Sequence, residues 1–316
     1  IHLNMDYPFD LKGILYFPKI NTEYDSVEGK IKLYNNQVFI ADNIKEVIPE
    51  FLMVLKGVID CPDLPLNVSR SALQNDGFVN KISEYISKKV ADKLSGMCKT
   101  DKETYESYWD DISPFIKFGC LKDTKFCDKM SDYMLFKNLD HKYLTLKECI
   151  GEKKEDKVTI YYVTDEQQQS QYINMFKAEG KDAVILTHNI DTPFISQLEQ
   201  RNENVQFQRI DADLTDAFTA KTSKKAEKEM EEQAAALLEI MKKALKNDKL
   251  NVKLQKLKNK KISSVITLSE ESRRMQDMMK MYAMPGMDMG AFGGEGETLV
   301  LNANHPLVEY VVANKD

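Results

Sequence analysis

The stretch KVTIYYVTDEQQQSQYINMFKAEGKDAVILTH, Lys157–His188, decides the fold class. Its first eight residues are dense in β-branched and aromatic side chains and predict a strand. EQQQSQYINMFKAEG predicts a helix stopped by Gly180. DAVILTH is a short apolar run and predicts a buried strand. A strand, a helix and a strand in close succession fit a small parallel unit, because parallel neighbours need a crossover.

The alternation continues outward. Downstream, DTPFISQLEQ predicts a helix and VQFQRID a further short strand. Upstream, KGILYFPKI and GKIKLYNNQVFIAD carry β-branched runs broken by Pro, Asn and Gly, which predicts strands. IKEVIPEFLMVLKGVID reads as a helix or helical turns. After Asn75, Asp76 and Gly77, the residues Val79, Ile82, Ile86, Val90, Leu94 and Met97 recur at steps of three and four, which predicts a helix. Asp101 to about Lys147 also reads as helical, with the sole tryptophan, Trp109, as a packed core anchor.

Composition shifts near Asp216. The Ala-, Glu- and Lys-rich stretch after it predicts a helix with a stripe of Leu237, Ile240, Met241 and Leu245, and opens another unit. KISSVITLSE predicts a strand, and GETLVLNANHPLVEYVV a strand running into a helix with Pro306 in its first turn. The expected class is therefore multi-domain, with α/β layered units followed by an α+β unit.

The 316 residues suggest two or three units rather than one core. Apolar residues make up 42% and charged residues 30%, a globular composition. A net charge of -6 argues against a broad nucleic-acid footprint. No apolar run reaches the roughly 18 residues of a membrane-spanning helix, and no signal peptide opens the chain. Five scattered cysteines without a C-x-x-C read as free thiols in a reducing compartment, and four separated histidines give no zinc spacing. The chain opens at Ile1 in an apolar segment and stops in a helix just begun, so a fragment of a longer protein is expected.

One segment carries candidate chemistry: DLPLNVSRSALQ, Asp63–Gln74. Asn67 and Ser69 are turn and N-cap types, so a helix is expected to start at Ser69 or Arg70. Arg70 and Gln74 then share a face at i and i+4. An arginine in a first helical turn makes an anion site, because free N–H groups and a guanidinium fork point the same way. A surface ion pair is the ordinary alternative for such an arginine.

DLPLNVSRSALQ closely resembles the signature of the ninety-kilodalton heat-shock protein family of ATP-dependent chaperones. DLKGILYFPKI, IKLYNNQVFIADNIKEVIPEFLMVLKGVIDCPDLPLNVSR, DAVILTHNIDTPFISQL and LVLNANHPLV resemble family segments, in family order, and look most like its bacterial branch. The resemblance implies two α/β layered middle-domain units joined by a helical segment, then an α+β C-terminal dimerisation domain. The corresponding bounds are 1–98, 99–147, 148–215 and 216–316, the last one truncated. It also implies a cytoplasmic homodimer that binds non-native client proteins, with neither nucleic acid nor membrane as a partner. An N-terminal nucleotide-binding domain outside this sequence would hold most of the ATP and Mg²⁺, so the fragment alone is expected to be inactive and to hold no metal. In the family a middle-domain loop supplies an arginine to the ATP γ-phosphate. That arginine matches Arg70, the family's glutamine four residues on matches Gln74, and Asn67 and Ser69 fall in the same loop. The hydrophobic residue that docks the nucleotide domain matches Phe39, for which a strand core role is the plain alternative. Ser71 stands where many members carry Glu, which could change how Arg70 is held without nucleotide. A different class, a non-catalytic binding scaffold with Arg70 purely structural, stays open.

RRMQDMMKMYAMPGMDMG, Arg273–Gly290, holds seven of the fifteen methionines. Met275, Met278, Met279 and Tyr282 fall on one helical face, and Pro285 and Gly286 end it. Such a stripe commonly packs into a core. Here it leads into a Gly-rich loop with little to bury, and methionine suits promiscuous surfaces. The resemblance places a client-contacting amphipathic helix in this region. GGEGE lacks the preceding strand and following Lys-Ser/Thr of a phosphate loop.

Overall fold

The computed structural model describes residues 1–18, 31–42, 47–52, 55–64, 77–151, 157–212, 218–275 and 297–314. The chain divides into two compact units, Ile1–Leu135 with Tyr143–Cys149, and Phe136–Lys142 with Ile150–Asp316. Mixed α/β architecture holds in both.

The first unit carries strands β1 (His2–Met5), β2 (Leu11–Tyr16), β3 (Ile31–Asn35), β4 (Val38–Asp42) and β5 (Lys56–Asp60), in the order β1-β2-β5-β3-β4. Only the β3–β5 pair is parallel. Leu11, Leu15, Ile31, Leu33 and Ile59 are buried, while Ile14, Tyr16 and Val58 are exposed, so alternation along each strand sets one face inward. Of the helix or helical turns expected over 44–60, the described residues show one 3-10 turn at Glu50–Leu52, and the reading is corrected at Lys56–Asp60, which is a central strand. Two hydrogen-bonded neighbours outweigh the weak helical spacing there. Gly57 lies so close to β2 that an added Cβ would meet the Ile14 carbonyl oxygen at 2.1 Å.

Helix α1 (Gly77–Thr100) buries Val79, Ile82, Ile86, Val90 and Leu94, as its spacing predicts. Helices α2 (Lys102–Lys122) and α3 (Thr124–Met130) follow, capped by Asp101 and Asp123, whose side chains accept from Thr104 N and Phe126 N. Trp109 is buried beside Tyr105. The helical reading of 101–147 ends at Met130. Beyond it lie β6 (Leu135–Asn138), β7 (Tyr143–Thr145) and the short α4 (Leu146–Ile150). None of the five cysteines forms a disulfide.

In the second unit β8 (Val158–Val163), α5 (Ser170–Ala178) and β9 (Val184–Ile185) form the parallel crossover read from the sequence. Helix α6 (Asp191–Arg201) returns the chain to β10 (Val205–Arg209), parallel to β8 on its other side. A three-stranded sheet follows, β11 (Asn251–Gln255), β12 (Ser264–Thr267) and β13 (Thr298–Asn302), in the order β11-β13-β12. Helices α7 (Lys224–Leu245) and α8 (Pro306–Ala313) complete the unit.

Alternation along β13 ties these parts together. Val300 joins Val163, Met175, Phe176 and Phe218 in one apolar cluster, while Leu299 and Leu301 face Met230, Ala234 and Leu237 in another. Of the expected stripe on α7, Leu237 is buried and Met241 packs part-buried against the same cluster, whereas Ile240 and Leu245 are exposed and Met230 and Ala234 complete the buried face.

Asn302 closes β13 and is fully buried. Its Oδ1 accepts from Leu257 N (2.9 Å) and Asn304 N (3.0 Å), and its Nδ2 donates to Asn259 O (3.0 Å) and Ile262 O (2.7 Å). One amide thus holds the whole 257–262 connection. Asn302→Ala strands these groups and is expected to cost about 2–3 kcal/mol in urea unfolding, whereas Asn304→Ala, which loses one bond to Leu257 O, costs less than half of that.

Candidate functional site

Arg70, Gln74, Asn67 and Ser69 lie in 65–76, outside the described residues. Their two flanks are described. On the entry side Asn35 Nδ2 donates to Pro62 O (2.9 Å) and Leu64 O (3.2 Å). Asp63 Oδ2 accepts from Asp10 N (2.7 Å), and Cys61 N donates to Tyr34 O (3.0 Å). Burial pushes the Cys61 thiol up to about 11, so it stays protonated and unreactive beside this entry. On the exit side α1 begins at Gly77. Phe78 and Tyr85 both meet the ring of Phe9, and Tyr85 OH donates to Asn4 O (2.9 Å). Leu64 and Phe78, on either side of the candidate catalytic segment, are therefore each held by residues of the sheet or of the β1–β2 connection.

Phe39 stands on β4 after a two-residue turn in which Asn36 (φ 50) and Gln37 (φ 68) are left-handed, a geometry that suits a tight hairpin. It is 51% exposed, touches Tyr34 edge-on at 5.7 Å, and neighbours exposed Val38. A half-exposed aromatic on an edge strand is free to be covered by another surface.

Of the methionine face, Met275 is described and is 59% exposed, while Met278, Met279 and Tyr282 lie outside the described residues. The helical residues 270–275 that lead into it are held by a polar cluster that sequence reasoning missed. Arg274 uses all five of its N–H donors. Nε bonds Glu270 (2.8 Å), one terminal nitrogen bonds Glu199 (2.8 Å) and Ser196 Oγ (3.1 Å), and the other bonds Glu199 (3.0 Å) and Phe207 O (3.1 Å). Glu270 also accepts from Tyr162 OH (2.8 Å) and Arg209 N (2.6 Å), and Glu199 from Phe207 N (2.6 Å). Buried Asp211 pairs with Arg209 at 2.8 Å and with Arg273 at 3.2 Å. Burial works against the Arg274 charge, and the bonds from Glu199 and Glu270 more than offset it, holding its pKa above the ordinary value. Burial and then the Glu270 carboxylate push the Tyr162 hydroxyl up, so it remains a donor.

The base of the methionine face is thus fixed to α6 and β10 by a planar fork that lysine cannot reproduce. Arg274→Met leaves Glu199 and Glu270 half-buried without their cation and is expected to destabilise the chain by about 3 kcal/mol in chemical denaturation. Arg274→Lys should recover less than half of that loss.

No group of His, Cys, Asp and Glu among the described residues could hold a metal ion, and none of their helices is long and apolar enough to cross a membrane. The profile of the Hsp90 protein family matches residues 1–316. A chaperone protein HtpG from Porphyromonas gingivalis (strain ATCC 33277) is 38% identical over 324 residues, covering 100% of this chain and 47% of the relative. One from Bacteroides fragilis (strain YCH46) is 39% identical over 325 residues, with 100% and 47% covered. One from Bdellovibrio bacteriovorus is 27% identical over 322 residues, with 98% and 51% covered. The chain spans about half the length of the curated relatives it matches. With a profile match along its whole length and bacterial relatives above 30% identity, the chain belongs to the Hsp90 protein family.

Proposed function

We propose that this chain is the middle and C-terminal part of an ATP-dependent molecular chaperone. The family match across all 316 residues, with DLPLNVSRSALQ intact within it, carries this reading. Arg70 reaches the γ-phosphate of ATP bound by an N-terminal nucleotide domain, with Gln74, Asn67 and Ser69 shaping its loop. Charge on the transferring phosphoryl oxygens needs a fixed cation, and a guanidinium from another domain can supply it. The anchored flanks at Asn35, Asp63 and Phe78 support the role, because a catalytic group must be held before charge develops. Phe39 meets the nucleotide domain, consistent with its exposure. ATP with Mg²⁺ supplies the phosphoryl group in the parent protein, held mainly outside this chain. The parent works as a cytoplasmic homodimer joined through its C-terminal domain.

Arg70→Ala in the full-length parent is expected to cut ATP turnover by about a hundredfold or more while nucleotide affinity stays within about twofold. Unchanged turnover would favour the scaffold reading, in which Arg70 is structural.

Client binding is assigned to Met275, Met278, Met279 and Tyr282. The exposure of Met275 beside a rigid base supports this. Serine at all three methionines is expected to weaken capture of a reduced, unfolded client at least about fivefold without changing thermal stability. Equal capture by the folded variant would remove this face from the site.

A further inference from the structure

Strand β11 is an edge strand, and its backbone register says which groups face outward. Asn251 N donates to Glu297 O (2.8 Å) and Gln255 O accepts from Ala303 N (2.9 Å), so the odd-numbered residues turn toward β13. In a parallel pair the alternate residues turn the other way. The N–H and C=O groups of Val252 and Leu254 therefore point to the opposite edge. Along that edge runs a groove of about 940 Å³, floored by 251–256 and walled by α7 through Met230, Ala234 and Ala235. Among the described residues this edge is covered at one end only. There Ala220 N donates to Lys256 O (2.7 Å) and Lys258 N to Phe218 O (3.0 Å), an antiparallel bridge centred on Thr219 and Leu257. The chain then leaves the edge at Ser223 to begin α7.

We propose that the groove along β11 takes an extended stretch of another polypeptide, which adds antiparallel to the sheet where residues 218–220 stop. This deepens the chaperone reading and rests on it: the occupant is an unfolded client segment with alternating apolar side chains. Three observations select that chemistry. Outward donors and acceptors recur at every second residue, which only an extended backbone matches. The chain already seats three of its own residues on this edge in that manner. The α7 wall adds exposed Ala235 and part-buried Leu238 beside Glu227 and Glu231, a strip that offers apolar contact and negative charge to such a segment.

The test uses a fluorescein-labelled peptide of alternating valine and threonine flanked by lysines, and the same peptide N-methylated at alternate residues. Fluorescence anisotropy is expected to show saturable binding of the plain peptide. N-methylation, which removes only backbone donors, is expected to weaken it at least about tenfold. Ala235→Arg, an exposed position on the wall, should weaken it similarly while leaving the circular dichroism spectrum unchanged. Amide signals of Val252 and Leu254 should shift on addition of the plain peptide. Absence of saturable binding, or equal binding by the N-methylated peptide or by the Ala235→Arg variant, overturns the proposal. Capture of a reduced, unfolded protein is measured alongside. Its persistence when the peptide arm fails leaves the chaperone reading standing, and its absence counts against that reading itself.

Discussion

One guanidinium organises the second half of this chain. Arg274 reaches Glu199 on a helix and Phe207 on a strand, partners 75 and 67 residues away in sequence. Such a group is costly to bury and gains nothing unless every donor is satisfied. Here all five are, and the two carboxylates that take most of them also accept from Tyr162, Arg209 and Phe207. Charge and hydrogen bonding are thus closed within one cluster. Together with the apolar cluster in which Val265 and Val300 meet Met175 and Phe176, it joins the parallel layer to the three-stranded sheet. The helical residues that lead to Met275 start from this joint, so exposed Met275 stands on a rigid base.

Two connections in the fold follow the same design, in which the amide of a buried asparagine is aimed at backbone groups and holds the chain in place. Asn35 does this for the entry to the Arg70 segment and Asn302 for the connection between β11 and β12. Both are buried asparagines, a type that is costly in a core unless its amide is bonded. Their positions suit geometry more than stability. Under the proposed function, a loop that brings Arg70 to a phosphate benefits from ends that do not drift.

Much of this was legible in the residues, and for local reasons. The β8–α5–β9 crossover could be read because strand, helix and Gly180 stop are each signalled within a few residues of one another. The α1 face could be read because its apolar spacing is regular from Val79 to Leu94. The family could be read from motifs in order. What escaped depends on partners distant in the chain. Lys56–Asp60 is a strand because β2 and β3 pair with it on both sides, which overrides its local pattern. On α7 the expected stripe holds at Leu237 and Met241 and fails at Ile240 and Leu245, because the sheet covers the face that runs on through Ala234 and Met230. The Arg274 cluster was invisible, since nothing local links residue 274 to residue 199.

The central claim is that the parallel layer and the three-stranded sheet form one cooperative body, fastened by Arg274 and the shared apolar cluster. Native-state hydrogen exchange in increasing urea tests it most directly, by following the amides of β8 and β10 against those of β12 and β13. The slowest amides of all four strands are expected to merge into one unfolding isotherm with a single opening free energy. Two separate isotherms, with either sheet opening while the other stays protected, would contradict it.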